Sequence, residues 1–334
     1  MRPQPAGVNH TFVSVPAIPG GRFTGRACLV ATTIQIDPAF EDLSVIITRE
    51  RDAMNLNRIT ARALVGSALL TAAPSSWAAR SQAGGGQPRV IHVSSVAPEK
   101  NAQLSTLVAE IRSHADAFVF LSGGASKMGE DHQRRLLAMF EALALVAKSG
   151  RRIAVGDGGT RAGIMEAAGN ARVASGNAFP LIGVAPAREI PPRGTTPVDS
   201  HHSHIVAVDN PSAPATDSWG SETETMYWLF GALAEGRPSV AIVANGGGIT
   251  LNEVESNVRA GRRIILIEGS GRAADALVSL VRKTEVSDPE LLSLRQRAEI
   301  AGLTGRPELF HVVPMQGGTP SLRDAITAAI AGTR

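Results

Sequence analysis

From residue 89 onward, short apolar runs alternate with longer segments in which apolar residues recur every three or four positions. The run at 117–121 is apolar throughout, as expected for a strand buried on both faces. Residues 103–112 instead show the spacing of an amphipathic helix. On this basis strands are predicted at 90–93, 117–121, 152–155, 180–184, 205–208, 239–243, 263–267 and 309–313. Helices are predicted at 103–112, 131–148, 162–174, 222–234, 250–260, 273–282, 289–301 and 321–331.

This alternation of strand and helix predicts an α/β fold. Strands joined by helices form right-handed βαβ units, which build a parallel sheet. We therefore predict a Rossmann-like three-layer fold over residues 88–334, with a mainly parallel sheet and helices on both faces. In such sheets ligands bind outside the carboxyl ends of the strands.

Four of the predicted strands are followed directly by glycine-rich loops. A strand that ends in glycines before a helix leaves backbone N–H groups at a positive helix end, where a phosphate can bind. Any single glycine could equally serve a tight turn. Four such loops in one domain predict a nucleotide-type pocket. Their glycines are Gly123, Gly124, Gly158, Gly159, Gly246, Gly247, Gly269 and Gly271.

Polar and charged residues in or beside the loops complete the predicted ligand site. The cations Lys127 and Arg272 suit phosphate oxygens. The carboxylates of Asp157 and Glu268 could accept a ribose hydroxyl. Glu253 is a candidate catalytic acid, although a carboxylate near a helix start also compensates the helix dipole. Hydroxyl groups in the loops could bind ligand or cap helices; they belong to Ser122, Ser126, Thr160, Thr250 and Ser270.

A proline-rich segment at 188–204 interrupts the alternation and could cover the pocket as a lid. It contains several residues of types that bind metals. They lack a recognised ligand spacing, so we predict neither a metal site nor a cofactor apart from the nucleotide-type ligand. The histidines and aspartates concerned are Asp199, His201, His202 and His204, together with Asp209 just beyond the segment.

The first 87 residues lack this alternation, and we predict a poorly ordered amino-terminal segment there. Within it, residues 54–79 have a basic start, an apolar stretch and an ending of small residues, which is the layout of a secretory signal peptide. A short Ala/Leu helix is the alternative interpretation. We expect a cytoplasmic protein, or an exported one if translation starts at Met54.

Composition narrows the classes of function. The 33 basic residues exceed the 30 acidic ones only slightly and are scattered, and aromatic residues make up 4% of the chain. Both features argue against nucleic-acid binding. Cys28 is the single cysteine, so neither an intrachain disulfide nor a cysteine-based zinc site can form. No apolar run reaches the length of a transmembrane helix. The sequence is compatible with a homo-oligomer.

The order of these motifs resembles the SLOG superfamily. The similarity is to the prokaryotic relatives of the SLOG domain at the amino terminus of TRPM channels, the LSDAT group. This resemblance implies a Rossmann-like domain that senses a nucleotide-derived ligand such as an ADP-ribose-like molecule. It rests on FVFLSGGASKMG, VGDGGTRAGIMEAA, PLIGVAP, HSHIVAVD, WGSETETMYWLFGAL, GRPSVAIVANGGGITLNEV and AGRRIILIEGSGRAADAL, from Phe118 to Leu277.

A more distant resemblance is to the Lonely Guy/lysine-decarboxylase-like proteins, which include phosphoribohydrolases with the signature Pro-Gly-Gly-x-Gly-Thr-x-x-Glu. Residues 245–253 keep the glycine pair, Thr250 and Glu253, but Asn245 replaces the proline and Ile249 the third glycine. The enzymes' upstream Arg-Lys pair corresponds to apolar residues that follow Met226. An apolar side chain cannot replace arginine in holding phosphate, so the resemblance favours binding over catalysis.

Three functional interpretations therefore remain. The preferred one is the binding or sensing of a nucleotide-type small molecule. The second is a nucleoside monophosphate phosphoribohydrolase or related N-glycosidase that uses Glu253 as the acid. The third is a structural or partner-binding module in which the glycines serve only packing.

Overall fold

The computed structural model describes residues 87–124, 126–214 and 218–331, together with two short strands near the amino terminus. The chain divides into two units, Met1–Thr71 and Ala72–Arg334. In the first unit, β1 (Asn9–His10) pairs antiparallel with β2 (Thr32–Thr33). The other predictions for the amino-terminal segment, including the signal-peptide-like stretch at 54–79, concern residues outside the described ranges and stay predictions.

The second unit is built on an eight-stranded sheet in which every pairing is parallel. The strand order is β10-β9-β8-β4-β5-β6-β7-β3. The strands are β3 (Arg89–Ser94), β4 (Ala117–Gly123), β5 (Ile153–Asp157), β6 (Leu181–Pro186), β7 (His204–Asp209), β8 (Ser239–Ala244), β9 (Arg263–Glu268) and β10 (Phe310–Pro314).

Nine helices of the described residues connect these strands and cover the sheet. They are α1 (Ala102–His114), α2 (Glu130–Met139), α3 (Glu141–Lys148), α4 (Gly163–Ala174), α5 (Thr223–Ala234), α6 (Gly248–Arg259), α7 (Arg272–Arg282), α8 (Pro289–Ile300) and α9 (Gly318–Ile330). One face packs against α2, α3, α4 and α9. The other packs against α1 and α5 at one end and α6, α7 and α8 at the other. The predicted Rossmann-like three-layer fold is confirmed.

The central strand β4 shows why the apolar runs become buried strands. Successive side chains of a strand point to opposite faces, and both faces of β4 are covered by helices. Val119 and Leu121 enter the core on the side of α2 and α3, whereas Phe118 and Phe120 enter the core on the side of α1 and α5. The ring of Phe120 stacks on that of Phe230 from α5, with 4.2 Å between the ring centres.

One predicted helix differs from the structure. The segment predicted as a single helix at 131–148 forms two helices, α2 and α3, which meet at Phe140. The backbone N–H of Phe140 donates to the carbonyl of Leu137 three residues back, a tighter turn than the α-helix. Because the apolar spacing continues through the junction, the sequence pattern does not reveal it.

The strand order gathers the four glycine-rich loops at one edge of the sheet. The chain runs from β4 outward through β5, β6 and β7, then returns to place β8 on the opposite side of β4. The direction of winding therefore reverses between β4 and β8, and such a reversal opens a crevice at the strand ends. The loops follow β9, β8, β4 and β5, which are consecutive neighbours in the sheet.

No helix among the described residues is long and apolar enough to cross a membrane.

Candidate functional site

The loops after β4 and β8 lie against each other at the reversal point. Gly123 has φ +125°, and a Cβ atom there would stand 1.9 Å from the carbonyl oxygen of Ala244. The N–H of Gly124 donates to the same oxygen at 3.1 Å. One residue further on, the Asn245 side-chain amide donates to the Ser126 carbonyl at 3.0 Å. The two strand ends therefore approach so closely that only glycine fits at position 123.

The loop after β8 is also bonded to the loop after β9. The backbone N–H of Asn245 donates to the Ser270 hydroxyl at 2.8 Å, and the N–H of Ala274 donates to the Asn245 carbonyl at 3.0 Å. Two predicted phosphate-binding amides have partners within the chain. Gly246 N–H donates to the Asn245 side chain at 2.6 Å, and Gly247 N–H donates to the Thr250 hydroxyl at 3.1 Å.

The loop after β9 is closed by a carboxylate of its own helix. Asp275 accepts the backbone N–H groups of Gly269, at 2.7 Å, and Gly271, at 3.0 Å. Burial raises the pKa of Asp275, while these two hydrogen bonds oppose the rise. Glu268, a predicted ribose acceptor, forms an ion pair with Arg282. The backbone N–H groups of Gly269 and Gly271 therefore already have an acceptor within the chain.

Both predicted phosphate-binding cations meet at a single carboxylate. Glu290, at the start of α8, accepts from Lys127 at 2.9 and 3.0 Å and from the Arg272 guanidinium at 2.8 Å. Arg272 also donates to the Ser126 hydroxyl at 3.0 Å. The hydrogen bond from Lys127, followed by that from Arg272, lowers the pKa of Glu290. The two cations thus form one positive cluster beside the start of α6.

The loop after β5 differs from the others because a buried carboxylate accompanies its glycines. Asp157 is fully buried, and its Oδ1 accepts the N–H of Gly159 at 2.7 Å. The same oxygen lies 2.7 Å from Nε2 of His202, while Nδ1 of His202 lies 3.0 Å from Asp199. Thr160, also buried, bridges to Val198 of the proline-rich segment.

His202 is therefore a buried imidazole between two carboxylates. Burial alone would lower its pKa, but Asp157 and Asp199 overcome that effect and raise the pKa to about 9. Below that pH both ring nitrogens carry protons and both donate. The segment at 188–204, which could cover the pocket as a lid, brings His202 and Asp199 into the interior beside the β5 loop. Among the described residues, no group of histidines and carboxylates is arranged to hold a metal ion.

Glu253 lies in α6, close to a buried polar cluster. Its pKa is raised to about 8, chiefly by burial and also by the nearby charges of Glu222 and Asp157, while a hydrogen bond from Ser122 opposes the rise. The Ser122 hydroxyl also lies 3.0 Å from the Tyr227 hydroxyl. Glu253 therefore retains its proton at neutral pH, as a general acid must.

Two further residues complete this cluster. The Asn257 side chain donates to the Tyr227 hydroxyl at 3.0 Å and accepts from Arg262. Arg262 lies over the ring of Phe120, with 4.4 Å from the guanidinium carbon to the ring centre. Burial also raises the pKa of Glu222, to about 7. The cluster thus joins the middle and end of α6 to the β4 strand end through side chains.

The raised pKa of Glu253 predicts a dependence of stability on pH. A carboxyl group that keeps its proton in the folded state loses stability as pH rises from its unfolded pKa, near 4.5, through about 8. Between pH 5 and pH 8, the free energy of unfolding of wild type should fall by on the order of 3 kcal/mol more than that of E253Q. Urea unfolding at both pH values measures this. E255Q, on the same helix, is the matched control, and parallel pH profiles for E253Q and wild type would contradict the prediction.

Comparison with protein families agrees with this architecture. The family described as SLOG in TRPM, prokaryote, matches residues 116–311. The chain belongs to this family. The match spans β4 to the start of β10 and includes all four glycine-rich loops. Membership in this SLOG family supports a ligand-binding or related nucleotide-processing role and suggests a small-molecule ligand.

Several residues of this SLOG site were missed by reasoning from sequence alone. His202 and Asp199 were considered only as metal ligands. Their separation of three residues was the one local sign that the two side chains could form a hydrogen bond with each other. Glu290 had no signal, because an acidic residue in the first turn of a helix is ordinary. Tyr227 and Asn257 follow helical spacing and give no sign that their polar groups meet.

Proposed function

We propose that this SLOG domain binds a nucleotide-derived small molecule, with an ADP-ribose-like ligand as the leading candidate, at the ends of β9, β8, β4 and β5. One observation carries this proposal: the Lys127 and Arg272 cluster stands at the start of α6, beside the point where the sheet reverses. A helix start and two cations together attract a phosphate group. The predicted residues Gly123, Gly124, Gly246 and Gly247 form the floor of this region.

A thermal-shift screen of the full chain tests the proposal. The ligands are ADP-ribose, NAD, nucleoside mono- and diphosphates, and cyclic dinucleotides, each with analysis of its products. A ligand at one hundred times its dissociation constant stabilises the folded state by about 2.7 kcal/mol. We expect at least one nucleotide to raise the melting temperature and to be recovered intact. The absence of any shift across the set would contradict the proposal.

The second candidate function is a nucleotide N-glycosidase in which Glu253 donates the proton. The raised pKa of Glu253 favours it, because a carboxyl group protonated at neutral pH can protonate a leaving base. The apolar residues after Met226, where the related enzymes have an Arg-Lys pair, weigh against it. Release of free base from a nucleoside monophosphate, abolished in E253Q but not in E255Q, would support this function over simple binding.

The contact between Glu290 and the two cations predicts a competition. A ligand phosphate that uses Lys127 and Arg272 must displace the Glu290 carboxylate. Exposed ion pairs are weak, so we expect E290Q to bind ADP roughly two- to fivefold more tightly than wild type. Isothermal titration calorimetry measures the change, and E299Q, an exposed glutamate of the same helix, is the control. Weaker binding by E290Q would mean that the carboxylate itself contacts the ligand.

A further inference from the structure

One oxygen of the Asp157 carboxylate accepts hydrogen bonds within the described residues, and the other accepts none. Oδ1 accepts two hydrogen bonds, from Gly159 and His202. Oδ2 is buried and has no hydrogen-bond partner among the described residues. A buried acceptor without a donor is unfavourable, and each such atom in a native protein calls for an explanation. The missing donor can be a group that enters the site from outside the chain.

The surroundings of Asp157 restrict the chemistry of that donor. Its negative charge raises the pKa of Glu253, and Glu222 has the same effect, so carboxyl groups gather on this side of the site. The N–H of Gly159 is occupied by Oδ1 and is not available to an anion. A phosphate would be repelled here and attracted to Lys127 and Arg272 instead. The partner of Oδ2 must be a neutral or positive donor, such as a hydroxyl.

Asp157 is also held in one orientation. His202 reaches Oδ1 with one nitrogen and Asp199 with the other. The backbone N–H of Asp199 in turn donates to the Gly159 carbonyl at 3.0 Å. Rotation of the Asp157 carboxylate would break its bonds to both His202 and Gly159. Oδ1 is therefore always occupied, and Oδ2 is the oxygen left for another donor.

We propose that Oδ2 of Asp157 accepts a sugar hydroxyl of the ligand whose phosphate binds at Lys127 and Arg272, and that His202 is the positioning residue that keeps this oxygen free. This inference rests on the proposed function and fixes the direction of the ligand across the strand ends. The phosphate end lies over β8 and β9, and the sugar end lies over β5. Ligands that lack the hydroxyl bind more weakly even when their phosphates are unchanged.

The test compares ADP with 2′-deoxy-ADP and 3′-deoxy-ADP by calorimetry on the full chain. A hydrogen bond to a charged group is strong, so we expect one deoxy analogue to bind wild type at least tenfold more weakly than ADP. In D157N the ratio should fall below about threefold. D209N, at the end of β7 two strands away from β5, is the control and should keep the wild-type ratio. The wild-type comparison stands on its own if D157N folds poorly.

The possible results separate this inference from the proposed function. If ADP and both deoxy analogues bind wild type equally, the hydroxyl subsite is wrong and nucleotide binding stands. If D157N discriminates between ADP and its deoxy analogues as strongly as wild type does, another group binds the hydroxyl and the assignment to Asp157 is wrong. If no nucleotide binds, both proposals fall together. Loss of discrimination in H202N, with ADP still bound, would support the positioning role of His202.

Discussion

Replacing His202 with alanine is expected to lower the free energy of unfolding by about 3–5 kcal/mol at pH 7, because removal of one partner from a buried charged group leaves the others uncompensated. In this protein two buried carboxylates, Asp157 and Asp199, would lose the proton donor between them. Urea unfolding followed by circular dichroism measures the loss. H201A is the matched control, because the His201 side chain is 41% exposed and its removal should change stability little.

The size of the His202 effect should depend on pH. The folded-state pKa of about 9 lies above the usual 6.5, so the charged imidazole stabilises the fold fully below pH 6.5. This contribution, on the order of 3 kcal/mol, is lost as pH rises through 9. The charged and titratable groups near this cluster are Asp157, Asp199, His201 and Arg172. The difference between wild type and H202A should therefore shrink towards pH 10, and a difference that stays constant would contradict a charged His202.

The second large effect is expected at Gly123, where G123A should cost about 3–5 kcal/mol and abolish nucleotide binding. An alanine there would combine a strained backbone at φ +125° with a Cβ placed against the Ala244 carbonyl. Left-handed strain and overpacking each cost about 1–3 kcal/mol. The strand ends of β4 and β8 would have to separate, which would also disturb the loops on which the ligand rests.

The neighbouring glycine supplies the control for this prediction. A Cβ atom at Gly124 would meet no atom within 4 Å, and the hydrogen bond from its backbone N–H would remain. We expect G124A to change stability by less than about 0.5 kcal/mol. Thermal unfolding and calorimetry of both variants provide the comparison. Equal losses in G123A and G124A would show that the close approach of β4 and β8 is not what requires glycine.

Much of the fold could be predicted because its signals are local. A buried parallel strand such as β4 appears as an uninterrupted apolar run, and glycine loops after strands are visible directly. The order of strands in the sheet has no local signal. That β8 returns to lie beside β4 depends on packing between residues more than one hundred positions apart. The shared edge of the four loops could therefore be expected only from the general behaviour of such sheets.

The candidate site was predicted less completely because side-chain partners are not local. Asp157 was expected to face a ligand, but its pairing with His202 joins residues 45 positions apart. Lys127 and Arg272 were expected to bind phosphate, but their common contact with Glu290 depends on where α8 packs. Residue type indicated which side chains could act, whereas the tertiary fold determined which of their atoms are already occupied.

The return of the chain to the middle of the sheet has a consequence for protein synthesis. The strands β4 to β7 and β3 can pair as soon as they leave the ribosome, since all lie before residue 210. The other edge of β4 has no pairing partner until β8, which ends at Ala244, has been synthesised. Until then a largely apolar strand presents unpaired backbone groups, which promote aggregation. We therefore expect that shielding of this edge during translation, by a chaperone or by the ribosome itself, raises the yield of folded protein.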